Sequence, residues 1–286
     1  MSRLFEGYTK EKDFLICVDS DGCAMDTMEV KHRKCFAPQL IEVFELQHRE
    51  EEVNSLWLEL NLYSLTRGIN RFKGLAKTLE ILNKNGASIV GLEIFLKWVD
   101  ETDELSNPAL QRRIREEQEE RGQACDILNK VLRWSLAVNE AIKALPEDDQ
   151  PYDHVKEVLE NIGQVGDICV VSSANGEALE HEWQRHDLKK YLKCLLGQEA
   201  GTKAICIKKL KEAGYEQDKI LMVGDAIGDL EAAKQNKVRF YPILVGQEGL
   251  AWKRLQMEAI PKLLEGSFDE SYQNQLIDEM KAILNK

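Results

Sequence analysis

The sequence predicts an α/β fold: a doubly wound parallel sheet with helices on both faces, interrupted near its start by a helical insertion. Three observations predict it. A continuous apolar run at residues 15–18 ends directly in acids. Residues from about 28 to 150 show helical periodicity and no further sharp strand-like run. From 151 onward, short apolar runs alternate with helical windows, the rhythm of βαβ units.

The first strand lies in "FLICVDSDGCAMDTM" (14–28). Leu15, Ile16, Cys17 and Val18 are too few for a helix and lack polar alternation, so they read as a central strand buried on both faces. Asp19 and Asp21 follow at its carboxyl end, where open α/β sheets place ligands. Two carboxylates held together there require a cation or a proton.

The insertion comes next. Its last long segment sets Ile127, Leu128, Val131, Trp134, Val138 and Ile142 along one helix face, until "LPEDDQPYDHV" (145–155) breaks it. "QRRIREEQEERGQ" (111–123) reads as a solvated helix face supported by opposite charges three and four apart. The later strands are expected in "DICVVSS", "KCLLG", "KILMVGD" and "VRFYPILVG". The intervening helices are "GTKAICIKKLKEAGY", stopping near Gly214, and "GDLEAAKQNK", and the tail from Glu270 reads as a terminal amphipathic helix. Right-handed crossovers would bring the polar strand ends to one edge. The boundaries that follow are 1–25 and 151–286 for the α/β core and 26–150 for the insertion.

Composition narrows the function. The 286 residues are enough for two domains, and 43% hydrophobic with 31% charged residues is ordinary for a globular chain. With 38 basic against 50 acidic residues the formal charge is −12, which disfavours nucleic acid and anionic membranes as partners. No apolar run reaches membrane-spanning length, so a cytoplasmic protein is expected. The seven cysteines (17, 23, 35, 125, 169, 194 and 206) are scattered without a Cys-x-x-Cys pair, so neither a disulfide framework nor a zinc site is expected. In "HEWQRH", His181 and His186 are five apart and fail the His-Glu-x-x-His zinc pattern.

Three strand ends carry chemistry: "VDSDG" (18–22), "VSSANG" (171–176) and "VGDAIGD" (223–229), with Lys203 opening the helix after "CLLG". In this order and spacing the chain resembles the haloacid-dehalogenase-like superfamily, in particular its phosphatases with a helical cap inserted directly after the first motif. The resemblance covers roughly 1–25 and 151–286, and the cap matches by position and helical character only. It implies a Rossmann-like core and Mg²⁺-dependent cleavage of a small phosphorylated metabolite through an aspartyl-phosphate.

Residue by residue, the resemblance makes Asp19 the nucleophile and Asp21 the acid that protonates the leaving oxygen and then deprotonates water. Asp19, the main-chain carbonyl of Asp21, and Asp225 would hold Mg²⁺. Asp229 would bind the metal, orient its waters, or simply be an acid at a helix start. Ser172 would donate to a phosphoryl oxygen, with Ser173 as the next claimant, and the amides of the turn through Asn175 and Gly176 would face the anion. Lys203 would pair with Asp19 and the phosphoryl group. Cys23 stands where the family has threonine, which removes a hydroxyl and leaves both acids in place.

The cap is expected to select the substrate. In "NLYSLTRGINRFKGL" (61–75), Arg67 and Arg71, with Lys73, either bind a second anionic group or mark an exposed helix start; "EVKHRKCF" (29–36) is a second basic cluster. The presence of Asp21 argues against dehalogenation, whose halide needs no proton. A sugar phosphomutase would keep every core residue, and a non-catalytic phospholigand-binding protein would have no need of the paired acids.

Overall fold

The computed structural model describes residues 7–121, 126–146 and 149–285. Expectations that fall on the other positions, Cys125 among them, lie outside the described residues. The chain divides into two compact units. One comprises Met1–Met28 with Asp148–Lys286, and the other Glu29–Glu147.

The first unit is a five-stranded, wholly parallel sheet of β1 (Phe14–Val18), β2 (Gly166–Val171), β3 (Cys194–Leu196), β4 (Ile220–Gly224) and β5 (Arg239–Pro242), in the order β3-β2-β1-β4-β5. The order reverses at β1, so the crevice between the carboxyl ends of β1 and β4 is the topological switch point. Strand side chains alternate between two cores. Ile16, Val18, Ile168, Val170, Leu221 and Val223 pack on one face with the helices Val155–Ile162 and Gly176–Arg185. Leu15, Cys17, Cys169, Val171, Ile220 and Met222 pack on the other with Lys203–Lys211 and Ile227–Asn236. Covering both faces is why these strands read as unbroken apolar runs.

One expected strand is shortened here. "VRFYPILVG" is a strand only to Pro242: Ile243 still donates to Gly224 O at 2.9 Å, and the chain then turns, Gln247 donating to Leu244 O. Residues 248–264, which show no clear period in the sequence, form the helices Glu248–Arg254 and Ile260–Leu264 around a π-helical turn, Leu255–Ala259.

After β1 the chain folds back on itself. Cys23, Ala24 and Met25 all donate to Ser20 O, and Met25 forms an antiparallel bridge with Pro151, flanked by Asp26 N to Gln150 O at 2.8 Å and Tyr152 N to Ala24 O at 3.0 Å. The segments that lead into and out of the insertion are therefore hydrogen-bonded to each other.

All the regular elements of the second unit are helices among its described residues, the main ones Glu50–Leu62, Arg71–Leu82, Leu92–Glu101, Asn107–Arg121 and Asp126–Lys143. Its core is aromatic: Trp57 and Trp134 meet edge to face at 5.7 Å, Phe72 lies edge-on to Trp98 at 5.3 Å, and Phe36 stacks on His32. The last helix buries Ile127, Leu128, Val131, Trp134 and Val138, with Ile142 half-buried. The solvated face expected of 111–123 is present over the described part, where Gln111, Arg112, Arg115, Glu116, Gln118 and Glu119 are exposed and Arg113 pairs with Glu116 and Glu117, and the same helix also has a buried side. Leu110, Ile114 and Glu117 form a buried stripe, and Glu117 enters it in an ion pair with Arg113.

Candidate active site

Asp19 is the first residue beyond β1, and its N–H donates to Val223 O at 2.9 Å, extending the pairing with β4 by one step. Asp225 is the first residue beyond β4, and both side chains lie at the switch point, almost completely buried. Asp229, in the first turn of Ile227–Asn236, turns back so that Oδ2 accepts from the N–H of Ala226 at 3.1 Å. That close return needs a glycine at 224: a β-carbon there would stand 2.3 Å from Asp229 Cγ.

Lys203 arrives from the helix that follows β3, packed on the same face of the sheet as Ile227–Asn236. Thr202 caps its helix, accepting from Ile205 N at 3.3 Å, and Lys203 Nζ lies 2.8 Å from Asp19 Oδ2 and 2.5 Å from Asp229 Oδ1. One cation thus joins two of three carboxylates whose oxygens, from Asp19, Asp225 and Asp229, lie within 4.8 Å of one another.

The electrostatics follow from burial. Desolvation pushes the Asp19 carboxyl up to about 8; Lys203 opposes this, and the charges of Asp229 and Asp225 add to it. Burial works against the charge on Lys203 also, but Asp19 and Asp229 outweigh it and hold its pKa above the ordinary lysine value. Three hard oxygen donors facing one ammonium leave an excess of negative charge. That donor set fits a hard divalent cation such as Mg²⁺, which would relieve the condition that otherwise drives a proton onto Asp19.

Asp21, half-buried, takes the hydroxyl of Thr27 on Oδ1 at 2.5 Å. Thr27 is itself buried and was not singled out in the sequence; a hydroxyl six residues beyond an acid has no distinctive spacing. Ser20, between the two acids, faces the opposite side. Its Oγ accepts from Trp183 Nε1 at 2.9 Å and donates to Glu182 Oε2 at 3.4 Å. Within "HEWQRH" the informative residues are thus the glutamate and the tryptophan, which share the buried face of that helix with Leu179. Cys23, fully buried, donates its thiol to Val223 O at 3.6 Å, and burial together with Asp19 keeps that thiol protonated.

Ser172 lies at the end of β2, buried, and its Oγ accepts from Ala174 N at 3.2 Å. Ser173 is exposed. The amides beyond it do not stand open to an anion as expected. Asn175 Oδ1 accepts from the N–H groups of Glu177 and Ala178, and Glu199 Oε2 accepts from that of Gly176 at 3.0 Å, so the helix start is filled by the chain's own oxygens.

The arginines are committed inside the helical unit, and neither is an exposed helix start. Arg67, 4% exposed, donates to Leu62 O at 2.9 Å. Arg71 donates through Nη1 to Asn139 Oδ1 at 2.7 Å and to Ser135 O and Oγ, with its guanidinium 5.2 Å from the centre of the Phe36 ring; burial pulls its pKa down to about 10. Lys73 is exposed, whereas His32, in the other basic cluster, is buried and accepts from Trp57 Nε1 at 2.9 Å.

Comparison with known proteins gives the class. Residues 92–243, just over half the chain, match the haloacid dehalogenase-like hydrolase family. The chain belongs to that family. The fold resembles that of a protein of Lactobacillus delbrueckii subsp. bulgaricus provisionally assigned as a phosphoglycolate phosphatase, with TM-score 0.53 and 16% identity over 91% of this chain and 100% of that one. Weaker matches include YfnB of Bacillus subtilis, provisionally assigned as a hydrolase of the same family and bound to magnesium (TM-score 0.43, 13% identity, 82% and 87% covered), and a provisionally assigned beta-phosphoglucomutase of Thermotoga maritima (0.44, 16%, 81% and 85%). No curated protein sequence gives a match.

Proposed function

We propose that this hydrolase is a Mg²⁺-dependent phosphohydrolase that cleaves a small phosphorylated metabolite through an aspartyl-phosphate. The observation that carries the reading is Lys203 bridging Asp19 and Asp229 beside Asp225, an arrangement that holds a carboxylate nucleophile next to fixed positive charge. Asp19, Asp225 and Asp229, with the main-chain carbonyl of Asp21, would hold the metal. Bound there, Mg²⁺ supplies the charge neutralisation that lets a carboxylate approach a phosphate dianion.

The chain's own groups supply the rest. Asp19 attacks phosphorus in line, forming the acyl-phosphate bond as the ester P–O bond breaks. The leaving oxygen takes its proton from Asp21, whose carboxyl Thr27 orients. Asp21 then accepts a proton from the water that cleaves the acyl-phosphate, and Asp19 is regenerated. Ser172 uses an acceptor site on Ala174 N–H, which leaves its own hydrogen to donate to a phosphoryl oxygen. Lys203 offers its charge to the same group.

We place the enzyme in the cytoplasm, acting on a small molecule rather than on nucleic acid or a membrane. All six described cysteines are free, which fits a reducing compartment, and among the described residues no helix is long and apolar enough to cross a membrane.

Phosphate release from a broad panel of phosphomonoesters tests the reading, with Mg²⁺ or chelator, for wild type beside Asp19→Asn. Release that chelator and the substitution both abolish is expected. Absence of release from every compound would overturn hydrolysis; if fluoroberyllate still bound only with Mg²⁺ and only to wild type, the chemistry would move to phosphoryl transfer within a substrate.

A further inference from the structure

We infer that Glu199 is a positioning residue: its carboxylate clamps the turn after β2 to the loop after β3 and so fixes the spacing of Ser172 and Lys203. The inference rests on the phosphohydrolase reading for its link to catalysis. Glu199 Oε1 accepts from Asn175 Nδ2 at 2.9 Å and from Gln198 Nε2 at 3.3 Å, while Oε2 accepts from Gly176 N at 3.0 Å. Beneath it, Gln198 N donates to Ala174 O at 2.8 Å and Ser172 N to Leu196 O at 2.9 Å. The two backbones touch, since a β-carbon on Gly197 would stand 2.7 Å from Gly176 Cα and one on Gly176 would stand 2.8 Å from Glu199 Oε2.

Ser172 is three residues before Asn175, and Lys203 four after Glu199, so the clamp joins the loop that carries the hydroxyl to the loop that leads into the ammonium, the two groups that would hold one phosphoryl group. Helix capping does not account for Glu199. Asn175 Oδ1 already takes the N–H groups of Glu177 and Ala178, so removing Glu199 leaves the helix Gly176–Arg185 capped. What is lost is the side-chain tie between the two loops. The carboxylate is suited to it because it accepts on both oxygens, facing a donor on each, which an amide cannot do.

That asymmetry provides the test. In Glu199→Gln an NH₂ group meets a donor, and in Asn175→Asp two carboxylates face each other; either change breaks the clamp. In the double variant Asn175→Asp with Glu199→Gln, the new amide donates to the new carboxylate while its carbonyl accepts from Gly176 N–H, so both bonds that join the two loops are restored. With p-nitrophenyl phosphate and Mg²⁺, each single variant should lose about tenfold or more in kcat with a smaller change in KM and little change in thermal midpoint, since small misplacement of a reacting group is costly. The double variant should recover most of that loss. Amide hydrogen exchange at 172–178 and 197–203 should rise in the single variants and return in the double.

Wild-type kcat in Glu199→Gln, or unchanged exchange in both segments, would overturn the inference. A double variant as poor as its parents would do the same. A wild type with neither phosphate release nor Mg²⁺-dependent fluoroberyllate binding would refute the phosphohydrolase reading alone, and the exchange data would still decide whether the clamp exists.

Discussion

The ammonium of Lys203 lies closer to Asp229, at 2.5 Å, than to Asp19, at 2.8 Å. Asp229 is in turn held by Ala226 N–H, so Lys203 is anchored on the helix start after β4 and presents its charge to the strand end after β1. Lys203→Met removes the cation from three buried carboxylates. In chelator at pH 8 the variant should lose about 3–5 kcal/mol in urea denaturation, the cost typical of breaking a buried ion pair. At pH 6 the loss should be smaller, because protonation can replace the missing cation. Equal stability of variant and wild type at pH 8 would show that the bridge carries no energy.

Asp19 gives the sign of the pH dependence. Its folded pKa, about 8, lies above the unfolded value of about 3.9, so folding binds a proton across that interval. The contribution is fully present below about pH 4 and is lost as pH rises through 8. Metal-free protein should therefore show a thermal midpoint that falls between pH 5 and 9. The part of the slope due to Asp19 should vanish in Asp19→Asn, and Mg²⁺ should flatten it in wild type by binding the ionised form. Identical slopes in chelator for wild type and Asp19→Asn would contradict this.

Gly224→Ala drives a methyl group against a carboxyl that cannot yield, because Lys203 and Ala226 N–H both hold it. A loss of about 1–3 kcal/mol is expected, as for other overpacked sites, with weaker Mg²⁺ binding by calorimetry. Asp229→Ala removes the obstacle, so the double variant should be more stable than the sum of the two single effects requires. Simple additivity would mean that the two positions do not meet.

Thr27→Val keeps the shape of the side chain and deletes the O–H that Asp21 accepts. The expected result is a fall of about tenfold in kcat with KM nearly constant, the size of effect usual for a misoriented general acid and base. Thr27→Ser should retain most of the activity. A fully active valine variant would remove Thr27 from the mechanism.

The parts of the fold legible in the sequence are those in which a strand is buried on both faces. Residues 15–18 and 220–223 admit no other period, and the acids that follow them stand out because nothing polar precedes them. Residues 248–264 were illegible because Pro261 and a π-helical turn interrupt the periodicity. Asp19, Asp225, Asp229 and Lys203, which the structure brings together, stand out in the sequence because charge at strand and helix ends is conspicuous. Thr27, Glu182 and Glu199 do not stand out, because their contacts are set by tertiary folding. Glu199 looked like one more acid in a chain with fifty of them, and its partners lie 23 and 24 residues away.

The position of β1 in the middle of the sheet has a consequence for biogenesis. Its two neighbours begin at residues 166 and 220, on the far side of the insertion, so the strand bearing Asp19 is the first to be synthesised and remains without either edge partner until most of the chain has emerged. Residues 29–147 form a compact unit of their own and can collapse while it waits. Completion of the sheet is then a long-range closure, with the slow kinetics such pairings impose, and the carboxylate cluster comes together only when the ribosome has passed Asp229.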